Sequence, residues 1–331
     1  MHYIIQLLPI LLLLACGQKK ETPMGSVEKF DASLDALLDA NAQIEILAEG
    51  FDWSEGPLWI EKESMLLFSD VPQNTVYKWT AAKGKERYLT PSGYTGAAKR
   101  GGEMGSNGLA LNPKGQLVLC QHGDRQVGIM QAPVGAPKSE YAAVANQYNG
   151  KKFNSPNDLV FDSKGNLYFT DPPYGLEKNM DDSSKELPFQ GVYHVRDSGT
   201  VTLLVDSITR PNGIALTPDE KHVLIANSDP QKALWYIYDL KADGTLTNGR
   251  IFYDASEALK VDKGLPDGLK IDRKGNVFAS GPGGIWIFNR EGTLLGKIRF
   301  PELVSNCALS ADEKMLYVTA DMYLLRVRLR N

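Results

Sequence analysis

Residues 155–171 read SPNDLVFDSKGNLYFTD. Asn157 and Asp158 stand directly before a strand-forming run, although both residue types are depleted in strands because their side chains compete for local backbone hydrogen bonds. Strand propensity therefore does not account for their place. The rest of the stretch reads as a β-hairpin: an apolar run, an Asp-Ser-Lys-Gly reversal at 162–165, and a second apolar run rich in Leu, Tyr and Phe. Aspartate and glycine are the residues that tight reversals require.

The same grammar recurs along the chain: SEGPLWIEKESMLLFSD from 54, SNGLALNPKGQLVLCQHG from 106, RPNGIALTPDEKHVLIAN from 210, LPDGLKIDRKGNVFAS from 265 and VSNCALSADEKMLYVTAD from 304. A repeat of this length means stacked units. Further candidate strands follow each pair, such as TVYKWT and ERYLT, GVYHVR and VTLLVD, or LWYIYDL and RIFYD. Four short antiparallel strands per unit make a propeller blade, so the expected fold is an all-β, six-bladed β-propeller spanning residues 42–331. The last unit runs out one strand short, while AQIEILAEG at 42–50 precedes the first unit as a spare. An N-terminal strand closing the C-terminal blade would hide both edges. Residues 26–40 read as a short amphipathic helix, with residues 17–41 forming a tether plus that helix.

In this register the polar residue before each first strand forms a column: Glu55, Asn107, Asn157, Asn212, Asp267 and Asn306, with spacings of 52, 50, 55, 55 and 39 residues. The first strand of a blade lines the axial channel, so these side chains are expected to converge at one mouth of it. Their oxygens, with no His or Cys among them, make a hard donor set suited to Ca²⁺ or another divalent cation such as Mg²⁺. A second column, Asp70, His122, Asp171, Asn227, Ser280 and Asp321, ends the second strands. It is expected to surround the first, holding ligands in place or touching substrate.

The chain has 331 residues, a net charge of −4 and a pI near 5.7, without the basic footprint of a nucleic-acid binder. Ile4 to Leu14 is almost wholly apolar, too short to span a bilayer but right for a signal-peptide core. Leu13-Leu14-Ala15-Cys16 then resembles a bacterial lipobox. Residues 1–16 are expected to form a lipoprotein signal, with Cys16 lipidated and the mature protein anchored to the cell envelope through that lipid alone. Cys120 and Cys307 sit in apolar runs and are expected to be buried free thiols.

The motifs SEGPLW, NSPNDLVFDSKGNLYFTDPPYG, RPNGIAL and LPDGL, with CQHGDRQV at 120–127, resemble the gluconolactonase and senescence marker protein (regucalcin-like) family of calcium-dependent lactonases. The resemblance runs from about Ile44 to the C-terminus. It implies metal ligands at Glu55, Asn157, Asn212 and Asp267, with Asn107 beside them on substrate or metal-bound water and Asp267 as general base. His122 is a second candidate for proton transfer. Long connections on the same face offer Arg100, Glu103 and Tyr174 for substrate binding. The expected reaction is metal-assisted opening of a sugar lactone by a monomer. Diisopropyl-fluorophosphatases share the architecture, so phosphotriester hydrolysis stays open, as does a non-enzymatic ligand-binding propeller.

Overall fold

A computed structural model of the chain describes residues 24–196 and 199–330; the expected lipidation site, Cys16, lies outside the described residues. The six repeats fold as six antiparallel blades. Their inner strands are Ser54–Ile60, Ser106–Leu111, Leu159–Phe161, Pro211–Leu216, Leu269–Ile271 and Val304–Leu309 for blades 1 to 6. In blade 6 the fourth position is taken by the N-terminal strand Ile44–Glu49, which pairs antiparallel with Tyr323–Arg328. The ring is thus closed by joining the two ends of the propeller.

A separate apolar cluster fills each of the six seams between blades. Phe153, Phe169 and Tyr193 lie between blades 2 and 3, Trp235 and Trp286 between blades 4 and 5, and Phe51, Phe68 and Tyr317 between blades 6 and 1. Hydroxyls near the axis tie one blade to the next. Ser69 Oγ donates to Asn107 O (2.9 Å), Thr170 Oγ1 to Asn212 O (2.6 Å), Ser280 Oγ to Ser305 O (2.8 Å) and Ser305 Oγ to Ser54 O (2.7 Å). Cys120 and Cys307 are buried and unpaired.

The helix expected over residues 26–40 is corrected. Ser26–Lys29 is a fifth strand on the outer edge of blade 5, in register Ser26 to Arg299 and Lys29 to Gly296. Only Ala32–Ala36 is helical, a 3₁₀ turn capped by Asp31, whose carboxylate accepts from Ser33 N at 2.8 Å. The open edge of blade 5 offers backbone partners that an isolated short helix lacks. The apolar residues of this segment are nonetheless buried: Leu34, Leu37 and Leu38 enter the seam between blades 5 and 6.

Candidate active site

In blades 1, 2, 4 and 6 the register slips beside the column residue, between Glu55 and Leu58, Ser106 and Leu109, Pro211 and Ile214, and Val304 and Asn306. Such bulges re-aim a side chain, here toward the axis. In blades 3 and 5 the column residue precedes the strand instead. The glycine that often follows it has a steric cause. A Cβ on Gly56 would lie 2.1 Å from Asn107 O, and one on Gly213 would lie 2.2 Å from Asp267 O. Blades 1 and 4 therefore press their backbones against the column residues of blades 2 and 5.

Glu55, Asn107, Asn157, Asn212 and Asp267 converge on one cavity of about 330 Å³. Asn306, the sixth member, does not line it. Its Oδ1 accepts from Cys307 N (2.8 Å) and Lys270 Nζ (3.3 Å), and its Nδ2 donates to Glu55 Oε2 at 3.4 Å, so it braces Glu55 from behind. Glu103 and Tyr174 also line the cavity. Tyr174 is held by a hydrogen bond from its hydroxyl to Ser228 O at 3.3 Å.

The donor atoms are short of partners. Asn107 Oδ1, Asn157 Oδ1 and Asp267 Oδ1 are buried with no hydrogen-bond partner among the described residues, a costly state for oxygen acceptors. Burial, with the charges of Asp158 and Glu103 adding to it, pushes the Glu55 carboxyl up to about 8. Burial and the Glu55 charge hold Asp267 well above the ordinary carboxylate range, and burial raises Glu103 to about 7. Two desolvated carboxylates, Glu55 and Asp267, beside two unpaired amide oxygens fit a hard divalent cation, whose charge would reverse these shifts. Among the described residues no three His, Cys, Asp or Glu side chains cluster as a metal site; the donor set depends on its asparagines.

Two candidates stand apart from the cavity lining. The Arg100 guanidinium is pinned to the carbonyls of Gly123 (2.8 Å) and Gly175 and lies over the Tyr94 ring, so it braces the loops around the cavity. His122 is fully buried, with Nδ1 3.6 Å from Glu103 Oε2 and neither ring nitrogen hydrogen-bonded. Burial, aided by the Arg100 charge, lowers it to about 3, leaving a neutral imidazole behind Glu103.

Much of the second column braces backbone. Asp70 accepts from Trp53 N (3.2 Å), Asp171 from Asn154 N and Ser155 N (both 2.8 Å), and Asn227 Oδ1 from Arg210 N (2.8 Å). These bonds fix the segments that enter the axial strands. Trp53, Arg210, Leu265, Leu303 and Val304 line the cavity as well, and sequence reasoning missed them. The signal for four of them was the register itself, since Trp53, Arg210, Leu265 and Val304 lie two residues before column positions.

The fold and site define a β-propeller whose axial cavity is floored by carboxylate and amide oxygens. The chain belongs to the SMP-30/gluconolactonase/LRE-like family, whose model matches residues 53–321. It is 39% identical over 317 residues to a gluconolactonase of Zymomonas mobilis, covering 92% of this chain and 86% of that protein. Among solved structures it is similar to a gluconolactonase from Xanthomonas campestris, with TM-score 0.78, 29% identity and coverage of 92% and 95%. The calcium-binding protein regucalcin of Agrobacterium tumefaciens shares the fold, with TM-score 0.67, 17% identity and coverage of 86% and 94%.

Proposed function

We propose that this protein is a divalent-metal-dependent hydrolase that opens a sugar lactone of the aldonolactone class. The observation that carries the reading is the convergence of Glu55, Asn157, Asn212 and Asp267 on one cavity, with buried oxygens that lack partners. Family membership supports the lactonase chemistry. Those four residues would hold the cation, and Ca²⁺ suits their irregular mixture of carboxylates and amides better than Mg²⁺, which demands near-ideal octahedral geometry. When bound there, a divalent cation supplies Lewis-acid polarisation of the lactone carbonyl.

The chain's own residues do the rest. Asn107, at the cavity floor, offers an amide to the substrate. Asp267 orients the attacking water and takes its proton, while the ring C–O bond breaks and the leaving alkoxide is protonated to give the hydroxy acid. His122 reaches the cavity only through Glu103, so its part in proton transfer would run by that carboxyl.

The test is a pH-indicator assay on aldonolactones with protein truncated after Cys16. Turnover should fall by about a hundredfold or more in chelator and in Asp267→Asn. Calcium binding without turnover of any lactone would move the protein to the binding propellers, and turnover of organophosphates alone to the phosphotriesterases.

From the Leu13-Leu14-Ala15-Cys16 stretch we propose separately that the protein is anchored to the cell envelope through a lipid on Cys16. Cys16→Ser should shift it from the membrane to the soluble fraction and abolish labelling by a radioactive fatty acid; unchanged partitioning would refute the anchor.

A further inference from the structure

The cavity has an upper tier that its floor does not require. Residues two positions apart on an extended chain face the same way, so the positions two before the column form a ring of their own: Trp53, Gly105, Ser155, Arg210, Leu265 and Val304. Ser155 turns away, donating its Oγ to Pro172 O at 2.6 Å. Trp53, Arg210, Leu265 and Val304 line the cavity, and Arg210 is the one charged side chain among them.

The backbone of Arg210 is held on both sides, its N–H by Asn227 Oδ1 at 2.8 Å and its carbonyl by Ser228 N at 2.9 Å. Its guanidinium makes no hydrogen bond and no ion pair among the described residues. A guanidinium presents five donors and no acceptor, so its complement is a set of oxygen lone pairs. A cation repels a bound divalent ion and cannot be its ligand; the half-buried guanidinium is free to exchange water for the oxygens of a substrate in the cavity. The rest of the tier is apolar, with Trp53, Leu265 and Val304 joined by Leu303. A cavity of about 330 Å³ lies at the small end of ligand sites and suits a single ring. Apolar wall on one side and donor fork on another match a sugar ring, which has C–H faces and hydroxyl edges.

We infer that Arg210 is the specificity residue of this site: it donates to the hydroxyls of a polyhydroxylated lactone and so selects that ring over an unsubstituted one. The inference rests on the lactonase reading and deepens it. Arg210 takes no part in bond making; its hydrogen bonds form with the bound ring and hold the carbonyl over the metal ligands.

The experiment compares wild type, Arg210→Ala and Arg210→Lys on glucono-δ-lactone and δ-valerolactone in Ca²⁺. In parallel, calorimetry reads binding of glucono-δ-lactam and δ-valerolactam, which are not hydrolysed. The ratio of kcat/KM for the hydroxylated over the bare lactone should fall about tenfold to a hundredfold in Arg210→Ala, mainly through KM, and recover in part in Arg210→Lys. Gluconolactam affinity should fall in step while Ca²⁺ affinity stays at the wild-type value. An unchanged ratio, a gluconolactam that binds the alanine variant as well as wild type or binds neither, or a parallel loss of Ca²⁺ affinity would each overturn the inference. If wild type turns over neither lactone, the lactonase reading fails by itself, and the lactam titrations still decide the role of Arg210.

Discussion

Glu55 and Asp267 are carboxyls that the fold alone treats badly: both are desolvated, and neighbouring carboxylates disfavour ionisation further, Asp158 and Glu103 at Glu55 and Glu55 at Asp267. The sign of the resulting pH dependence follows from proton counting. Glu55 rises from its ordinary 4.5 to about 8 in the folded chain, so between those values the native state holds a proton that the unfolded state has released, and stability falls as pH rises. Asp267 adds to the same trend. A cation competes with these protons and removes the penalty. In chelator the melting temperature should therefore decline from pH 5 to pH 8, and the gain on adding saturating Ca²⁺ should grow over the same range. A flat chelator profile would show that the metal-free carboxyls are not raised, and a calcium gain independent of pH would show that they are not the ligands. These two residues were legible in the sequence because repetition aligned them. Arg210 was not, although it precedes Asn212 by two, because a single arginine carries no meaning until strand alternation is combined with the axial register. The surroundings of Arg100 were hidden for a related reason. A charged loop residue looks available in sequence, and only the folded chain shows Gly123 O and Gly175 O occupying its guanidinium.

At the scale of elements, the hairpins announced themselves through turn chemistry, and the inner pair of every blade lies where its motif placed it. The bulges beside Glu55, Asn107 and Asn212 had only a faint trace, the polar residue followed by glycine. The cause of that glycine is the approach of the next blade's backbone, a tertiary constraint that no local pattern expresses. The segment from Ser26 to Leu38 shows the opposite failure. Its leucine spacing correctly announced burial, but the same few residues can present an apolar edge as strand or as helix. The open flank of blade 5 decided between them. Tyr174, offered by a long connection on the cavity face, does line the cavity, while Phe153 packs against Phe169 and Tyr193 with centroids 5.1 and 5.0 Å away.

At the scale of the molecule, closure of the ring and assembly of the site are one event. Blade 6 is built from both ends of the chain, and the seam it makes with blade 1 carries Ser305 Oγ to Ser54 O at 2.7 Å, Ser54 N to Asp321 O at 2.9 Å and Asn306 Nδ2 to Glu55 Oε2 at 3.4 Å. Glu55 is therefore oriented by a residue some 250 positions away in sequence, across a seam that depends on Ile44–Glu49 for its outer strand. Two truncations separate closure from simple stabilisation. A chain beginning at Ala42 loses the edge strand of blade 5 and the burial of Leu34, Leu37 and Leu38, a loss offset in part by the conformational entropy the deleted segment no longer surrenders. It should melt at lower temperature yet bind Ca²⁺ with near wild-type affinity in the cold. A chain beginning at Phe51 also loses the closing strand, leaving Tyr323–Arg328 as an open edge. It should lose Ca²⁺ affinity out of proportion to its stability, and a synthetic peptide of residues 42–50 added in trans should restore it by refilling the blade. Isothermal titration with Ca²⁺ reads all three samples. Wild-type affinity in the Phe51 chain would mean that the seam holds without its outer strand, and that Glu55 is positioned by blade 1 alone.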